Sequence, residues 1–281
     1  MYQLNIGFLH PGAMGISLAA SAQNSGHKAY WVSEGRSQDT RERAEKHNLT
    51  DAMTLANLCE ECDIIVSICP PDAAEDVAKQ VVDGGFSGLY VDANAIAPRR
   101  AQRIEEILSK AQINFVDGGV IGGPAWEPDS TYLYLSGDSA EQVAACFAAG
   151  PLATEVLDGG IGKASALKMC YAAYTKGTSA LLSAILATAE NLGVRGDLEK
   201  EWARDDEDFV EKTNHRVRRV TAKAWRFAGE MDEIASTFAE AGLPDGFHKS
   251  AGEVYRRSAH FKGTEELPEL VDVLKSLTQN K

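Results

Sequence analysis

The sequence predicts an α/β protein in two parts: a doubly wound parallel sheet over residues 1–158, then an all-α domain over 159–281. A long helix joins the two. Three observations carry this. Strand-like and helix-like patterns alternate through the first half, as β–α–β units require. The strand signal then vanishes from Gly160 onward. Between Lys163 and Leu192 there is no proline and a single interior glycine, Gly177, which costs a helix only about 1 kcal/mol. A helix of roughly 30 residues would be about 45 Å long, more than one small domain needs.

Taken in order, Leu4, Ile6 and Phe8 alternate and predict a first strand within 3–9. His10-Pro-Gly12-Ala-Met-Gly15 follows, then a helical run to Asn24 that Gly26 stops. The second strand, 29–32, ends at Ser33-Glu-Gly-Arg-Ser37, and a polar helix reaches His47. Residues 63–69 form a continuous apolar run, as a strand covered on both faces demands. Pro70-Pro71 ends it, and a helix over 73–82, a strand over 89–92 and a helix over 99–110 repeat the pattern. A strand over 113–117 leads into a glycine-rich loop, Gly118 to Pro124, and 131–135 is a further, antiparallel strand because it follows a loop rather than a helix. Beyond Gly160 helices are expected over 163–192, 197–228, 230–241 and 250–258, broken at Gly193, Gly229 and Gly242-Leu-Pro244. The acidic run Asp205–Asp208 and the basic run His215–Arg219 read as solvated helix faces.

Composition removes several function classes. At 44% hydrophobic and 25% charged, the 281 residues match an ordinary globular protein of two domains. A net charge of −13 argues against nucleic acid or an anionic membrane as partner, since both need clustered cations. The N-terminus has no basic n-region or apolar h-region, and the apolar run from Ala180 to Ala187 is too short to span a bilayer. Five scattered cysteines then predict reduced thiols in a cytoplasmic protein. Cys59 and Cys62 have C-x-x-C spacing but no second pair or histidine cluster, so no metal is expected.

The turn after the first strand carries the first chemistry. In a G-x-G-x-x-G fingerprint the second glycine lets pyrophosphate approach and the third lets helix and strand pack closely. Here His10 stands first, with Gly12 and Gly15 in the other two places. The setting, strand before and helix after, points to a dinucleotide on the helix N-terminus at Ala13 and Met14. At the end of the second strand Arg36 offers a planar cationic fork for a 2′-phosphate, and Ser33 and Ser37 add donors. Glu34 pulls toward NAD; the balance predicts NADP, with NAD the alternative. Cys69, Pro70, Pro71 and Asn94, at the ends of the following strands, complete the cofactor candidates.

On the long helix, Lys168 shares a face with Tyr171, Ala172 and Thr175 by i, i+3, i+4 spacing. Together, Ile6–Gly15, Asp92–Pro98, Asp117–Gly123 and Gly162–Lys168 resemble the β-hydroxyacid dehydrogenases, the family of 3-hydroxyisobutyrate and 6-phosphogluconate dehydrogenases. The four matches fall in the family's order across roughly the first 190 residues. The resemblance implies an N-terminal Rossmann domain, a helical domain that builds a homodimer, and a small-molecule substrate. It implies that Lys168 hydrogen-bonds the substrate oxygen and relays its proton. Independently of kinship, hydride transfer at a carbinol carbon leaves charge on oxygen that an amine stabilises or removes, and burial would make a lysine a better base. The stretch from Ala224 through His248 to Arg257 resembles a branch of NAD(P)-dependent oxidoreductases with a distinct helical domain.

Three departures bear on substrate. Ile121 stands where the family has Ser, Ala172 where it has Asn, and Glu230 near where it has a second Lys. Each removes a polar contact to a small hydroxy acid, so a larger or less charged substrate is expected. Its candidate contacts are Asn94, Gly122, Gly123, Tyr171, Thr175 and His248, with Trp126 beside them. Two other readings stay open: C=N reduction, as in the related imine reductases, whose proton-handling position is typically Asp or Tyr, and a non-catalytic dinucleotide sensor.

Overall fold

Consecutive residues of the central strands pack into different cores, which is why those strands read as unbroken apolar runs. Ile64, Val66, Leu89 and Val91 join one cluster with Ile6, Phe8 and Ile16. Ile65 and Tyr90 join the other with Leu58, Val81 and Ile104. A period-2 side-chain alternation covered by helices on both faces produces this split. The computed structural model describes residues 2–264 and 266–279, which fall into two compact units divided between Met169 and Cys170.

The first unit holds one eight-stranded sheet: β1 (Asn5–Phe8), β2 (Lys28–Trp31), β3 (Thr50–Asp51), β4 (Ile64–Ser67), β5 (Leu89–Asp92), β6 (Asn114–Gly122), β7 (Thr131–Ser136) and β8 (Ala153–Val156). Their order is β3-β2-β1-β4-β5-β6-β7-β8. All neighbours are parallel except β6 and β7. The order reverses between β1 and β4, the switch point at which open α/β sheets bind ligands. The helices are α1 (Ala13–Asn24), α2 (Gln38–Lys46), α3 (Leu55–Glu61), α4 (Ala74–Asp83), α5 (Pro98–Lys110) and α6 (Ala140–Ala145). This is the predicted doubly wound α/β architecture, a Rossmann-like sheet. β3, β8, α3 and α6 have no counterpart among the predicted elements.

One expectation is corrected here. The segment Gly118–Gly122, predicted as loop, is strand: β6 runs on past its last pair with β5, Asp92 with Asp117, and continues against β7 to Gly122 and Thr131. Its glycines mark close approach, not irregularity. A Cβ at Gly118 would sit 2.8 Å from the Asp92 carbonyl oxygen, and one at Gly119 2.8 Å from that of Ala164.

The boundary also differs from the expected 158/159. The carboxylate of Asp117 accepts hydrogen bonds from Gly162 N and Ser165 N, each at 3.0 Å, and from Ser165 Oγ at 2.5 Å. That cap holds the start of α7 (Lys163–Ala172) to the sheet, so the first unit reaches Met169. The helical run continues as a π turn, Ala173–Gly177, and α8 (Thr178–Asn191).

The second unit adds α9 (Arg195–Asp205), α10 (Phe209–Val220), α11 (Ala224–Glu240), α12 (Gly246–Arg257) and α13 (Leu270–Thr278). The helix expected over 197–228 is broken at 206–208 and by a 3-10 turn over 221–223, whereas Gly229 lies inside α11 and breaks nothing. Leu182, Leu186, Val217, Val273, Leu274 and Leu277 form one core of this unit. Among the described residues no helix is long and apolar enough to cross a membrane.

Candidate functional site

The turn between β1 and α1 has the two glycines it needs for different reasons. A Cβ at Gly15 would lie 2.3 Å from the His10 carbonyl oxygen and 2.9 Å from Ile68 Cγ2, so only glycine lets α1 start there. A Cβ at Gly12 meets nothing within 4 Å: this is the open side of the turn, where a ligand can approach the backbone. Gly12 is the N-cap of α1 and no side chain caps the helix, so the N–H groups at Ala13 and Met14 face that space with the helix dipole behind them.

Beside the turn, two polar atoms are buried without a hydrogen-bond partner: His10 Nδ1 and Arg36 Nε. Burial, and then the charge of Arg36, pushes the His10 pKa down to about 4, so the imidazole is neutral at ordinary pH. Burial likewise lowers the Arg36 guanidinium from its usual range, while Cys69 pulls it back up. These mutual influences gather His10, Arg36 and Cys69 at one end of the sheet. Unsatisfied buried donors are rare in proteins and invite an acceptor, and a cationic fork beside an uncapped helix start fits the phosphates of a dinucleotide. Ser33 is buried; its N–H reaches Asp51 Oδ1 at 3.2 Å and its carbonyl accepts from Arg41 Nη2 at 2.5 Å. Ser37 Oγ is 3.1 Å from Thr40 Oγ1 at the start of α2, and Glu34 is exposed.

Asn94 braces the strand ends at which it was expected. Its amide donates to Asp92 Oδ2 at 2.8 Å and Ser67 Oγ at 3.3 Å, and its Oδ1 accepts from Cys69 N–H. The buried side chain thus ties the end of β4 to the end of β5 and fixes where Cys69, Pro70 and Pro71 leave the sheet. Asp92 is wholly buried, and desolvation raises its pKa to about 7 against the lowering effect of the Asn94 hydrogen bonds. Burial foremost, then the Asp92 charge, pushes the Cys69 thiol up to about 12.

Lys168 is half-buried on α7, and its Nζ donates to Val120 O at 2.6 Å. Three features aim it. β6 overruns β5, which opens a strand carbonyl to a side-chain donor. Gly119 allows α7 to close on the strand, since a Cβ there would meet Lys168 Cβ at 2.9 Å. Asp117 pins the first turn of the helix. Two residues after Val120, Gly122 adopts φ +126°, a conformation that favours glycine, with Ser130 O 2.5 Å from where its Cβ would be. Gly123 presents open space, and its carbonyl accepts from Thr131 Oγ1 at 2.7 Å. Asp117, Gly119 and Asp92 were absent from the predicted site; the recurrence of Asp-x-Asn and Asp-Gly-Gly at strand ends was the signal available.

Trp126 lies in the first unit, stacked on His47 with ring centroids 5.0 Å apart. In the second unit, Tyr171 is exposed and Thr175 Oγ1 donates to Tyr171 O at 3.1 Å. His248 is buried, its ring 4.1 Å from that of Phe238 and its Nδ1 without a partner. Glu230 is buried and pairs with Lys176 at 2.7 Å.

Comparison with known proteins bears on the fold and the family. Residues 5–149 match the NAD binding domain of 6-phosphogluconate dehydrogenase, and residues 189–258 match a domain of unknown function, DUF1932. An uncharacterized 28.5 kDa protein of Methanothermus fervidus is 29% identical over 196 residues, 69% of this chain and 74% of that one. The mitochondrial 3-hydroxyisobutyrate dehydrogenase of Drosophila melanogaster is 25% identical over 136 residues, 47% of this chain and 41% of the relative. A conserved protein whose solved structure shows similarity to 3-hydroxyacid dehydrogenases superposes with a TM-score of 0.68 at 27% identity, covering 91% of this chain and 98% of the other.

Proposed function

The chain belongs to the β-hydroxyacid dehydrogenase family of NAD(P)-dependent oxidoreductases, and from that premise we propose that it interconverts an alcohol and a carbonyl with NADP, using Lys168 to handle the proton. The observation that supports the reading is the 2.6 Å hydrogen bond from Lys168 Nζ to Val120 O, on the strand that ends at Gly122.

When bound, the nicotinamide dinucleotide supplies the hydride in one direction and accepts it in the other. The backbone around Gly12, Ala13, Met14 and Gly15 would hold that cofactor's phosphates, and Arg36, Ser33 and Ser37 would hold its adenosine ribose. As the ammonium, Lys168 stabilises negative charge growing on a carbonyl oxygen and delivers a proton to it; as the amine, it takes the proton from a carbinol. Val120 O keeps one N–H occupied and thereby sets the direction of the side chain. Ile121 and Ala172 supply no polar grip where the resemblance implies Ser and Asn, which supports a substrate larger or less charged than a small 3-hydroxy acid. A homodimer and a cytoplasmic setting belong to the same reading.

Lys168→Ala tests the assignment: turnover should fall by about 10²–10⁴-fold while NADPH affinity holds. Turnover close to wild type would remove Lys168 from the chemistry. A screen of ketones beside cyclic imines accompanies it, and turnover of imines alone would replace C–O with C–N chemistry.

A further inference from the structure

The helical unit contains a cavity of about 460 Å³ walled by the π turn, α8, α10, the start of α11 and α12. Lys212, Arg216 and Arg219 line it from α10 at i, i+4 and i+7, one helical face, and Lys223 follows from the 3-10 turn after that helix. Lys176 joins them from the π turn, so five formal positive charges meet there, with His215 at the edge and no Asp or Glu in the lining. On a chain of net charge −13 such a concentration is not a by-product of composition. Two carboxylates outside the lining already pair with two of these five cations. Glu230 takes Lys176 at 2.7 Å and Arg226 at 3.7 Å, and Asp208 takes Lys212 at 3.2 Å. Among the described residues no carboxylate lies within ion-pair distance of Arg216, Arg219 or Lys223.

The floor is built rather than accidental. Tyr255 is almost wholly buried, and its hydroxyl donates to Lys176 O at 2.7 Å, bracing the π turn. The Lys176 side chain, 13% exposed, lies with Nζ 5.0 Å from the centre of the Phe227 ring. A π turn inside a helix is uncommon and concentrates at functional positions. Burial lowers the pKa of Lys223, and Arg226, Arg219 and Lys176 lower it further against the opposing pull of Glu230, a crowding of like charge that an anion would relieve.

We propose that this cavity binds a small polyanion, a metabolite-sized compound bearing at least two phosphate or carboxylate groups. Its volume falls in the range of small-molecule sites. Arg216 and Arg219 offer forks for bidentate contact, Lys223 and Lys212 add point charges at the mouth, and Lys176, held by Glu230, forms the floor. Such a ligand would engage the helical unit itself, a further substance recognised by the protein besides the dinucleotide and the substrate.

Isothermal titration of the full chain with pyrophosphate and with citrate, against sodium chloride at matched ionic strength, tests this. Saturable binding of at least one probe is expected. It should weaken by tenfold or more in Arg216→Ala/Arg219→Ala and stay at the wild-type value in Arg36→Ala, which reports on the dinucleotide turn instead. Should the double variant fail to fold, Lys212→Ala/Lys223→Ala, on the exposed rim, carries the same comparison. The proposal is overturned if the heat only tracks ionic strength, if both double variants bind as wild type does, or if the loss appears in Arg36→Ala. It is equally overturned if no probe binds and the double variant lowers the assembly mass in light scattering, because the cavity then receives an acidic surface of a second copy.

Discussion

Arg36 is the residue on which cofactor preference turns. Its Nε is buried without an acceptor, and a buried unsatisfied donor costs about 1–3 kcal/mol, more when charged. A phosphate at the ribose would satisfy it through a charge-assisted bond, whereas a ribose hydroxyl would satisfy it only weakly. We therefore expect Arg36→Ala to weaken NADPH binding by roughly tenfold or more while NADH changes little. Equal losses for both dinucleotides, or equal affinities in the wild type, would contradict the 2′-phosphate reading. The same substitution has a second readout. Arg36 is the lesser cause of the low His10 pKa, burial being the greater, so an NMR titration of Arg36→Ala should show His10 rising from about 4 but remaining below its ordinary value. No change would mean the two side chains do not sense each other.

At the scale of elements, the pairing of β6 with α7 decides where the lysine points. Gly119→Ala leaves the strand conformation allowed but sets a methyl 2.8 Å from Ala164 O and 2.9 Å from Lys168 Cβ. Since α7 is anchored at its first turn by Asp117, it cannot slide away without loss. The variant should lose about 1–3 kcal/mol of stability, and turnover should drop more than cofactor affinity does. An active variant with wild-type stability would show that the helix has room the structure does not suggest. This pairing also marks how far the sequence could be read. Strand, turn and helix around Gly12 and Gly15 were legible because the glycines fall between an apolar strand and a helical run, Gly12 as the N-cap and Gly15 in the first turn. Gly118 and Gly119 were not, because glycine inside a strand gives the same local signal as glycine in a loop; only the neighbouring helix reveals which it is. Lys168 was singled out by its place on the helix and the Gly162–Lys168 motif, while the hydrogen bonds of Asn94 to Asp92, Ser67 and Cys69 were not readable from its strand-end position. A side chain's partners across a sheet are not written in its own segment.

For the whole molecule, the α/β layout followed from alternation alone, and the helical unit from its absence. What escaped were the pieces with little pattern of their own: the two-residue β3, the half-exposed β8, and α13, whose stripe Leu270, Val273, Leu274 and Leu277 lies beyond Pro268 at helical spacing. Burial of polar groups was equally out of reach, and it shapes how the fold responds to acid. His10 has a folded pKa of about 4, below its ordinary 6.5, so the unfolded chain binds more protons between those values and the His10 contribution is lost as pH falls through that window. Asp92 has a folded pKa of about 7, above its ordinary 3.8, so the folded chain binds more protons there and the Asp92 contribution grows as pH falls. Between pH 4 and 6.5 the two oppose each other within one end of one sheet. Removing either should expose the other. Thermal unfolding from pH 7 down to pH 4 should show a steeper acid loss of Tm in Asp92→Asn than in wild type and a shallower loss in His10→Gln. Parallel Tm–pH curves for all three proteins would mean that neither group is perturbed as its burial requires.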